Sequence, residues 1–372
     1  MTLGVAGSMK PSPSILALVT DAFGGQGGIA QYNRDLLSAL ASPEGGAASI
    51  TVLPRHASDS ASPPDFIRQA APRRGRVAYS LIALATALTR PYGIIYCGHL
   101  FMAPLAALIA KLKGAKLLIQ AHGIEAWERS PRLRRAALEA ADLVLCVSRF
   151  TRARVLDWAV IAPERMLVLP NTVGDTFTPG DGASLRATLG LESKLVLLTV
   201  GRMDSRERYK GHDLVIAALP SLIANGHDAT YVIIGDGDDH PRLEALASGA
   251  GLSERVRFLG MMECERLIEA YRMADLFVMP STGEGFGIAF LEALACGTPA
   301  LGLNVAGARD ALADGELGTL ACASDLAASI DRLFAQTPTD GHALARAVRA
   351  RFGREKFHVQ AKLAIERLAE TA

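Results

Sequence analysis

The chain has 372 residues, of which 50% are hydrophobic, 21% charged and 6% aromatic, and its formal net charge is +1. This length predicts two domains, and the near-average glycine and proline contents argue against a fibrous or wholly disordered protein. The few aromatic residues are not interleaved with the basic clusters, which argues against a nucleic-acid-binding protein.

The charge is divided unevenly along the chain. Residues 1–173 carry an excess of eight positive charges, and residues 174–372 an excess of seven negative charges. This asymmetry indicates different partners for the two halves, although ordinary surface charge is an equally good explanation.

The sequence predicts a cytoplasmic protein. Its cysteines are odd in number and widely spaced, which argues against a zinc site or a disulfide framework: Cys97, Cys146, Cys264, Cys296 and Cys322. No signal peptide is evident. The longest nearly uncharged runs, 77–89 and 100–110, are shorter than the ~20 residues of a membrane span. We therefore expect a soluble protein, or one that is peripheral at the inner face of the plasma membrane.

The first half alternates short apolar runs with helical patterns. Residues 15–20 form an apolar run that ends in a glycine-rich turn at 24–28, and a helical pattern follows from Ile29. The helical run 103–113 lies between later strands, and Ser148 is placed to cap a further helix. The other predicted strands are 49–53, 93–96, 116–120 and 143–147.

The second half repeats this alternation. Its predicted strands are 194–200, 230–234, 256–259 and 276–279, and its predicted helices are 211–225, 242–249, 266–273, 286–296 and 355–368. Continuous apolar strands that alternate with helices are typical of parallel sheets covered on both faces.

The predicted fold class is therefore α/β, with two doubly wound, Rossmann-like parallel-sheet domains. We place the N-terminal domain at 1–173, because residues 170–179 contain two prolines and no apolar run. The C-terminal domain is expected at 174–354, and a C-terminal helix at 355–372 is expected to pack back toward the first domain. Ligands of such sheets bind beyond the carboxyl ends of the strands, so we expect the site in the cleft between the domains.

The most informative segment is Ser281–Ile288, which follows a predicted strand and opens a helix. Three glycines let a ligand approach the backbone, and a helix start offers free amides and a positive dipole end that suit a diphosphate. Glu284 and Glu292 are eight residues apart, ~12 Å if wholly helical, which is long enough to place one carboxylate on a sugar and the other on a ribose. A purely structural glycine turn is the alternative.

Two cations follow the strand 194–200. Arg202 comes at its end, and Lys210 lies eight residues later. Cations at a strand end can stabilise the charge that develops on a departing nucleoside diphosphate. Arg206 and Arg208, in the same segment, are interpreted as solvated surface residues.

These motifs occur in an order that resembles the retaining GT-B glycosyltransferases of group 1. The resemblance covers nearly the whole chain and rests on Glu284 and Glu292, Gly201-Arg202, residues 207–212, residues 170–173 and the early glycine loop. It implies a hexosyltransferase that moves a hexose from a nucleotide diphosphate sugar to a glycan or to a lipid-diphosphate-linked acceptor. Such reactions occur in exopolysaccharide and lipopolysaccharide biosynthesis. By resemblance, GDP-mannose and UDP-glucose are the expected donors.

The resemblance also implies roles for individual residues. Glu284 would bind the donor sugar, Glu292 the ribose, and Arg202 and Lys210 the diphosphate. His122 would lie beside the reacting carbon, although a histidine at a strand end is commonly just a hydrogen-bonded loop residue. The remaining donor-binding residues would be Gly25, Gly27, Gly28, Asn171, Phe258, Phe286, Gly287 and Ile288.

The expected mechanism is front-face displacement without a metal. The sequence has no well-placed nucleophile pair and no Asp-x-Asp motif at a strand end, and Asp236–Asp239 is interpreted as a glycine turn. No cofactor is expected, because the nucleotide sugar is a substrate. A nucleotide-sugar 2-epimerase and a non-catalytic nucleotide-sugar-binding partner are the alternatives.

The acceptor is expected to enter from the basic first half. Arginines precede or surround apolar segments there, at Arg68, Arg73, Arg74 and Arg76 and at Arg129, Arg132, Arg134 and Arg135. Such a surface suits an anionic membrane, and a core helix with a solvated basic face is an equal alternative.

Overall fold

A computed structural model describes residues 13–41, 46–47, 49–56, 62–336 and 340–370. The chain divides into two units. The first comprises the chain up to Cys146, Arg154–Leu169 and the segment from His358, and the second comprises Val147–Ala153 and Pro170–Phe357. This division differs from the predicted boundary at 173/174 by four residues.

In the described part of the first unit, seven parallel strands form one sheet in the order β3-β2-β1-β4-β5-β6-β7. The strands are β1 (Ser14–Val19), β2 (Ser49–Pro54), β3 (Ile67–Gln69), β4 (Ile94–Cys97), β5 (Lys116–Ala121), β6 (Leu143–Cys146) and β7 (Met166–Val168). Both faces of the central strands are buried, which explains why their sequences are continuous apolar runs.

The helices of the first unit follow the strands in alternation. They are α1 (Gly28–Ala41), α2 (Arg76–Thr89), α3 (Ala103–Lys113), α4 (Ile124–Trp127) and α5 (Arg132–Glu139). Helix α6 (Arg149–Leu156) runs across the division between the units. Ser148 caps α6 as predicted, since its hydroxyl accepts a hydrogen bond of 3.1 Å from the Thr151 amide.

In the second unit, the described residues form a sheet of six strands in the order β10-β9-β8-β11-β12-β13, again with parallel pairing. The strands are β8 (Leu195–Val200), β9 (Ala229–Ile234), β10 (Val256–Phe258), β11 (Leu276–Met279), β12 (Ala300–Leu303) and β13 (Thr319–Ala321). The buried apolar core is built from side chains of the central strands, such as Leu197, Ile233 and Val278.

The helices of the second unit cover this sheet. They are α7 (Ala183–Leu189), α8 (His212–Ala224), α9 (His240–Gly249), α10 (Cys264–Met273), α11 (Ile288–Ala295), α12 (Ala308–Ala311), α13 (Leu326–Phe334) and α14 (Gly341–Phe352). Helix α15 (Arg354–Glu370) follows and runs from the second unit into the first. Arg367 of α15 donates a hydrogen bond of 2.5 Å to the Glu164 carbonyl, within the first unit.

One prediction about the glycine turn is wrong. The helix after the turn begins at Ile288 and not at Phe286, because Gly287 has φ 95°, a left-handed conformation that a helix cannot contain. Glu284 therefore lies in a loop and Glu292 in a helix, so the ~12 Å spacing of a continuous helix does not apply.

The strand order reverses at the same relative place in both sheets. In the first unit the reversal lies between β1 and β4, and in the second between β8 and β11. Ligands of doubly wound sheets bind beyond the carboxyl ends of the strands at this point. A ligand site is therefore expected at the loops that follow these four strands.

No helix in the described part of the chain combines the length and the apolar character needed to cross a membrane.

Candidate functional site

Lys210 and Glu284 form an ion pair at the strand-order reversal of the second unit. Lys210 follows β8 and Glu284 follows β11, and Lys210 Nζ lies 2.8 Å from Glu284 Oε1. The two side chains are only 14% and 13% exposed. Burial acts to lower the pKa of Lys210, but the charge and hydrogen bond of Glu284 outweigh it and raise the pKa. Lys210 is therefore a fixed positive charge in this loop.

The chain positions this pair through a close backbone approach. Gly211, directly after Lys210, has φ 79° and is the residue before α8. A Cβ at this position would overlap the carbonyl of Pro280, which directly follows β11. Only glycine permits this approach, which brings the loops after β8 and β11 together.

Arg202 lies at the carboxyl end of β8, but its guanidinium is turned to a nearby carboxylate. It pairs with Glu207, and the Arg202 side chain is 69% exposed. Glu207 also accepts a hydrogen bond at its carbonyl from the Lys210 amide, at 2.9 Å. The structure thus adds Glu207 as the residue that links the two predicted cations.

The glycine turn of Ser281–Gly287 is held by its neighbours. The Thr282 amide donates to the Tyr209 carbonyl at 2.9 Å, and the Ser281 hydroxyl accepts from the Gly283 amide at 3.3 Å. A Cβ at Gly283 would lie 2.9 Å from the Tyr209 ring. The turn is therefore shaped by packing as well as by its position before α11.

The loop that follows β12 holds the turn from the other side. The Gly307 amide donates to the carbonyl of Glu284 at 2.9 Å. A Cβ at Gly307 would overlap the Gly285 carbonyl. The loop after β12 therefore fixes the backbone of Glu284.

The predicted donor residues Phe286 and Gly287 directly precede α11, and Ile288 is the first residue of this helix. The Phe286 side chain is buried and packs edge-on against Phe352, with ring centroids 5.6 Å apart. The Phe286 ring is therefore part of the core, and only its backbone remains for a ligand. Ile288 lies in the first turn of α11, and the amides of a first turn have no acceptor within the helix.

Glu292 lies on α11 and is oriented by a buried tyrosine. The Tyr271 hydroxyl donates to Glu292 Oε2 at 2.7 Å. Burial and the neighbouring carboxylate raise the pKa of Tyr271 well above its ordinary value, so the hydroxyl keeps its proton. Tyr271 lies 21 residues before Glu292, and no sequence pattern pointed to it.

Two further predicted residues lie apart from the ion pair. Phe258 ends β10 and stacks on His240, with ring centroids 4.4 Å apart. Asn171 is buried beside Thr172, whose hydroxyl donates to the Phe352 carbonyl at 2.7 Å. The described hydrogen bonds and ring contacts do not join Phe258 or Asn171 to Lys210 or Glu284.

His122, at the end of β5, belongs to the first unit. Its Nε2 lies 2.9 Å from the Gly98 carbonyl, and its ring meets Tyr32 edge-on at 5.3 Å. Burial lowers the pKa of His122 to about 4, although the Gly98 carbonyl favours the charged form. The imidazole is therefore neutral at pH 7, with its proton on Nε2 because a carbonyl can only accept.

Gly98 connects His122 to the reversal of the first sheet, since it follows β4. The neighbouring His99 ring lies 6.3 Å from the His122 ring. The His122 amide donates to the Glu125 carboxylate at 2.6 Å. The sequence did not single out His99 or Glu125, which become neighbours of His122 only in the fold.

The three predicted glycines of the early loop differ in the space around them. At Gly25 a Cβ would collide with the Asp21 carboxylate, and Arg34 donates to the Gly25 carbonyl at 2.6 Å. Gly27 and Gly28 face open space, and Gly27 has φ 87°. Of the three predicted glycines, Gly27 and Gly28 are thus the two that a ligand can approach.

Within the described ranges, no three or more histidine, cysteine, aspartate or glutamate side chains are grouped so that they could hold a metal ion.

Two family models match the chain. The model described as glycosyl transferases group 1 matches residues 183–352, and the model described as glycosyltransferase family 4 matches residues 26–176. Together they account for most of both units.

Two relatives illustrate the sequence similarity. A D-inositol 3-phosphate glycosyltransferase of Geodermatophilus obscurus is 37% identical over 222 residues, covering 57% of this chain and 46% of the relative. A GDP-mannose-dependent alpha-(1-6)-phosphatidylinositol monomannoside mannosyltransferase of Mycolicibacterium smegmatis is 34% identical over 242 residues, covering 60% of this chain and 62% of the relative. The chain spans about half the length of the relatives it matches.

The fold is also found in solved structures. The structure of Anabaena HepE in complex with UDP and glucose superposes with a TM-score of 0.78, at 21% identity, over 95% of this chain and 99% of that chain. At this identity the likeness concerns the fold alone. The predicted α/β class with two parallel sheets of GT-B type is confirmed.

Proposed function

The chain belongs to the group 1 glycosyltransferases, and from this membership we propose that it moves a hexose from a nucleotide diphosphate sugar to a glycan or lipid-linked acceptor, with the anomeric configuration retained. The observation that carries the proposal is the buried pair of Lys210 and Glu284 at the strand-order reversal of the second unit. A donor contains both an anionic diphosphate and sugar hydroxyls, and this pair offers one group for each.

In this proposal, donor binding replaces the ion pair between Lys210 and Glu284 with contacts from each side chain to the donor. In the free protein each charge neutralises the other, so neither is left buried and unpaired. When the diphosphate arrives, Lys210 can turn to it as a charge-assisted hydrogen-bond donor. Glu284 then has a free oxygen that can accept from a sugar hydroxyl.

The proposed reaction is a front-face displacement. The bond between the anomeric carbon and the phosphate oxygen breaks while the acceptor oxygen bonds to the same face of that carbon. The acceptor proton passes to the departing phosphate oxygen. Lys210 and Arg202 stabilise the negative charge on the nucleoside diphosphate, which is the role a metal ion has in other transferases.

His122 is proposed to lie beside the reacting carbon as a neutral hydrogen-bonding group. A pKa of about 4 makes it a weak base at pH 7. The proton therefore goes to the phosphate in this proposal, and His122 orients the sugar.

The donor is proposed to be GDP-mannose or UDP-glucose. One similar protein is named a GDP-mannose-dependent enzyme, and the HepE structure contains UDP and glucose. A thermal-shift screen against nucleoside diphosphates would identify the base, because a ligand that binds only the folded protein raises its unfolding temperature.

Turnover of candidate donors tests the proposed function. The purified chain is incubated with each donor, and release of the nucleoside diphosphate is measured with and without candidate glycan and lipid-linked acceptors. NMR of the product reports the anomeric configuration. An epimerised donor in the absence of acceptor would instead identify a 2-epimerase, and inversion at the anomeric carbon would contradict the proposed mechanism.

We further propose that the first unit works at the inner face of a membrane. Helices α2, α3 and α5 pack in a row and expose apolar side chains to solvent, namely Val77, Leu81, Leu88, Leu108, Leu112 and Leu133. Exposed basic residues lie on the same helices or just before α2, namely Arg73, Arg74, Arg76, Lys111 and Arg132. Apolar residues beside basic ones favour an anionic lipid surface.

Sedimentation with vesicles tests the membrane proposal. Binding to phosphatidylserine vesicles should exceed binding to phosphatidylcholine vesicles and should weaken in high salt. Leu81→Glu should reduce it, whereas Leu246→Glu, at an exposed leucine of α9 in the second unit, should not. Equal binding by both variants would contradict this surface.

A further inference from the structure

A cavity of about 340 Å³ lies on the first unit, beyond the carboxyl ends of β2 and β4. Three arginines line it: Arg55 follows β2, Arg76 begins α2, and Arg134 lies in the first turn of α5. Part of the wall is apolar and includes Phe101 and Leu105. The cavity therefore combines concentrated positive charge with an apolar surface.

The protein holds two of these guanidinium groups in place. Arg55 donates through Nη2 to the Arg74 carbonyl at 2.9 Å. The Arg134 guanidinium lies over the Phe101 ring, 4.3 Å from its centroid. Because these groups are already oriented, a ligand would bind without the full cost of ordering them.

The positive charge of the cavity is not neutralised by the described part of the chain. None of the three arginines forms an ion pair with a described carboxylate, whereas the neighbouring Arg135 pairs with Glu139 at 3.6 Å. The Nε of Arg55 is buried and has no acceptor among the described residues. A buried donor without an acceptor is costly, and an anion in the cavity would neutralise the unpaired guanidinium charges that line it.

The chemistry of the arginines indicates which anion fits. A guanidinium presents parallel N–H donors that match the oxygens of a phosphate. Three such groups around an apolar wall suit a phosphate that carries an organic substituent. A volume of about 340 Å³ falls within the range of small-molecule pockets.

The cavity is close to the predicted reaction site. Its Phe101 ring lies 4.5 Å from the His99 ring, and the His99 ring lies 6.3 Å from the His122 ring. Ring contacts through Phe101 and His99 thus connect the cavity to His122. A molecule anchored here by a phosphate would extend toward the histidine proposed to lie beside the reacting sugar carbon.

We propose that this cavity, lined by Arg55, Arg76 and Arg134, binds a phosphate or diphosphate group carried by the acceptor. The inference rests on the proposed function, since it assigns the cavity to the acceptor of that transfer. The phosphate belongs either to a soluble phosphorylated acceptor or to the headgroup of a lipid, and both present the same group to the arginines.

Phenyl phosphate is a suitable probe because it joins a phosphate to an apolar ring. Its binding to the full chain is measured by titration calorimetry for the wild type, Arg134→Gln and Arg76→Gln. Loss of one charged hydrogen-bond donor should weaken binding about ten- to a hundredfold. Arg132→Gln removes the same charge from α5 outside the cavity and should bind as the wild type does.

Several results would overturn the proposal. One is equal binding by the wild type, Arg134→Gln and Arg76→Gln, and another is an equal loss in Arg132→Gln. Loss in Lys210→Ala, with Arg134→Gln unaffected, would place the phosphate in the second unit. Arg76 is exposed, so its variant keeps the test valid even if Arg134→Gln fails to fold.

A second measurement separates the two sources of the phosphate. If Arg134→Gln also loses binding to phosphatidylinositol vesicles, and phenyl phosphate displaces the wild type from them, the ligand is a lipid headgroup. If vesicle binding is unchanged while phenyl phosphate binding falls, the ligand is a soluble phosphorylated acceptor.

Donor turnover by the wild type, measured with a glycan acceptor that carries no phosphate and without phenyl phosphate, reports on the proposed function alone. If donor turns over but phenyl phosphate binding does not depend on the three arginines, the cavity assignment fails and the transferase proposal stands. If binding depends on the arginines but no donor is turned over with any acceptor, the cavity is a phosphate site and its assignment to an acceptor is overturned.

Discussion

Lys210 Nζ and Glu284 Oε1 lie 2.8 Å apart, although 74 residues separate them in the chain. They meet because β8 and β11 are neighbours at the point where the strand order reverses. Both side chains are nearly buried, with exposed fractions of 14% and 13%. This relationship makes both residues the first targets for mutation.

Lys210→Ala should lower kcat/KM for the donor, because it removes a cation that would hold the diphosphate. The expected loss of transition-state stabilisation is roughly 2–4 kcal/mol. Steady-state kinetics with the preferred donor measures the loss. Lys194→Ala is the control, since Lys194 also pairs with a carboxylate, Asp228, at 2.5 Å, but in a more exposed pair at the other end of β8. Equal activity in both variants would remove Lys210 from the site.

Tyr271→Phe should raise KM for the donor while changing kcat little. The ring still fills its buried place, but Glu292 loses the hydrogen bond that orients it. A loss of about 1 kcal/mol is expected for one such bond. The control is Tyr92→Phe, which removes a hydroxyl that is hydrogen-bonded to Thr51 in the first unit. An unchanged KM would mean that Tyr271 does not position a donor-binding group.

Gly287→Ala should reduce the free energy of unfolding by about 1–3 kcal/mol. The residue has φ 95°, and a Cβ would lie 2.7 Å from the Phe290 ring. Gly249→Ala is the control, because Gly249 is the last residue of α9 and a Cβ there would meet no other atom. This change should leave the free energy of unfolding unchanged or raise it slightly. Denaturant unfolding of the two variants compares them. Equal stabilities would show that the turn tolerates a side chain.

The folded protein should lose stability as the pH falls from about 6.5 toward 4. Burial lowers the pKa of His99, His122 and His212 to about 4, from the ordinary 6.5. In this window the unfolded chain binds protons that the folded chain does not, so each histidine removes up to about 1.4 kcal/mol per pH unit.

The unfolding temperature measured between pH 7 and 4.5 checks this prediction. His122→Asn should show a shallower decline than the wild type, because one buried histidine no longer titrates. His342→Asn, at an exposed position in α14, should decline as the wild type does. A decline of the same slope in all three proteins would contradict the assignment of His122.

Chelation should leave turnover unchanged. Lys210 and Arg202 supply the positive charge for the diphosphate in the proposed mechanism, so no metal ion is required. Activity is compared before and after treatment with EDTA, and again after adding manganese or magnesium. Loss of activity with EDTA and recovery with either ion would contradict the metal-independent mechanism.

Long apolar strands could be predicted from the sequence because their residues are buried whatever lies next to them. Predicted strands at 194–200, 230–234 and 276–279 agree within a residue with β8, β9 and β11. By contrast, β3, β7 and β13 have three residues each, are edge strands and were not predicted, whereas β10, also a three-residue edge strand, was predicted at 256–259. A strand of three residues is too short to show a clear periodicity, so its formation depends on pairing with a neighbouring strand.

The sequence by itself determined the α/β class, the two parallel sheets and the kinds of residue at the strand ends, because these follow from apolar runs, glycine turns and an ordered set of motifs. Only the tertiary structure decided which of these residues meet. It paired Lys210 with Glu284, turned Arg202 to Glu207, set Tyr271 against Glu292 and gathered three arginines around one cavity. Such contacts depend on strand order and on the packing of distant side chains, which local patterns along the chain do not encode.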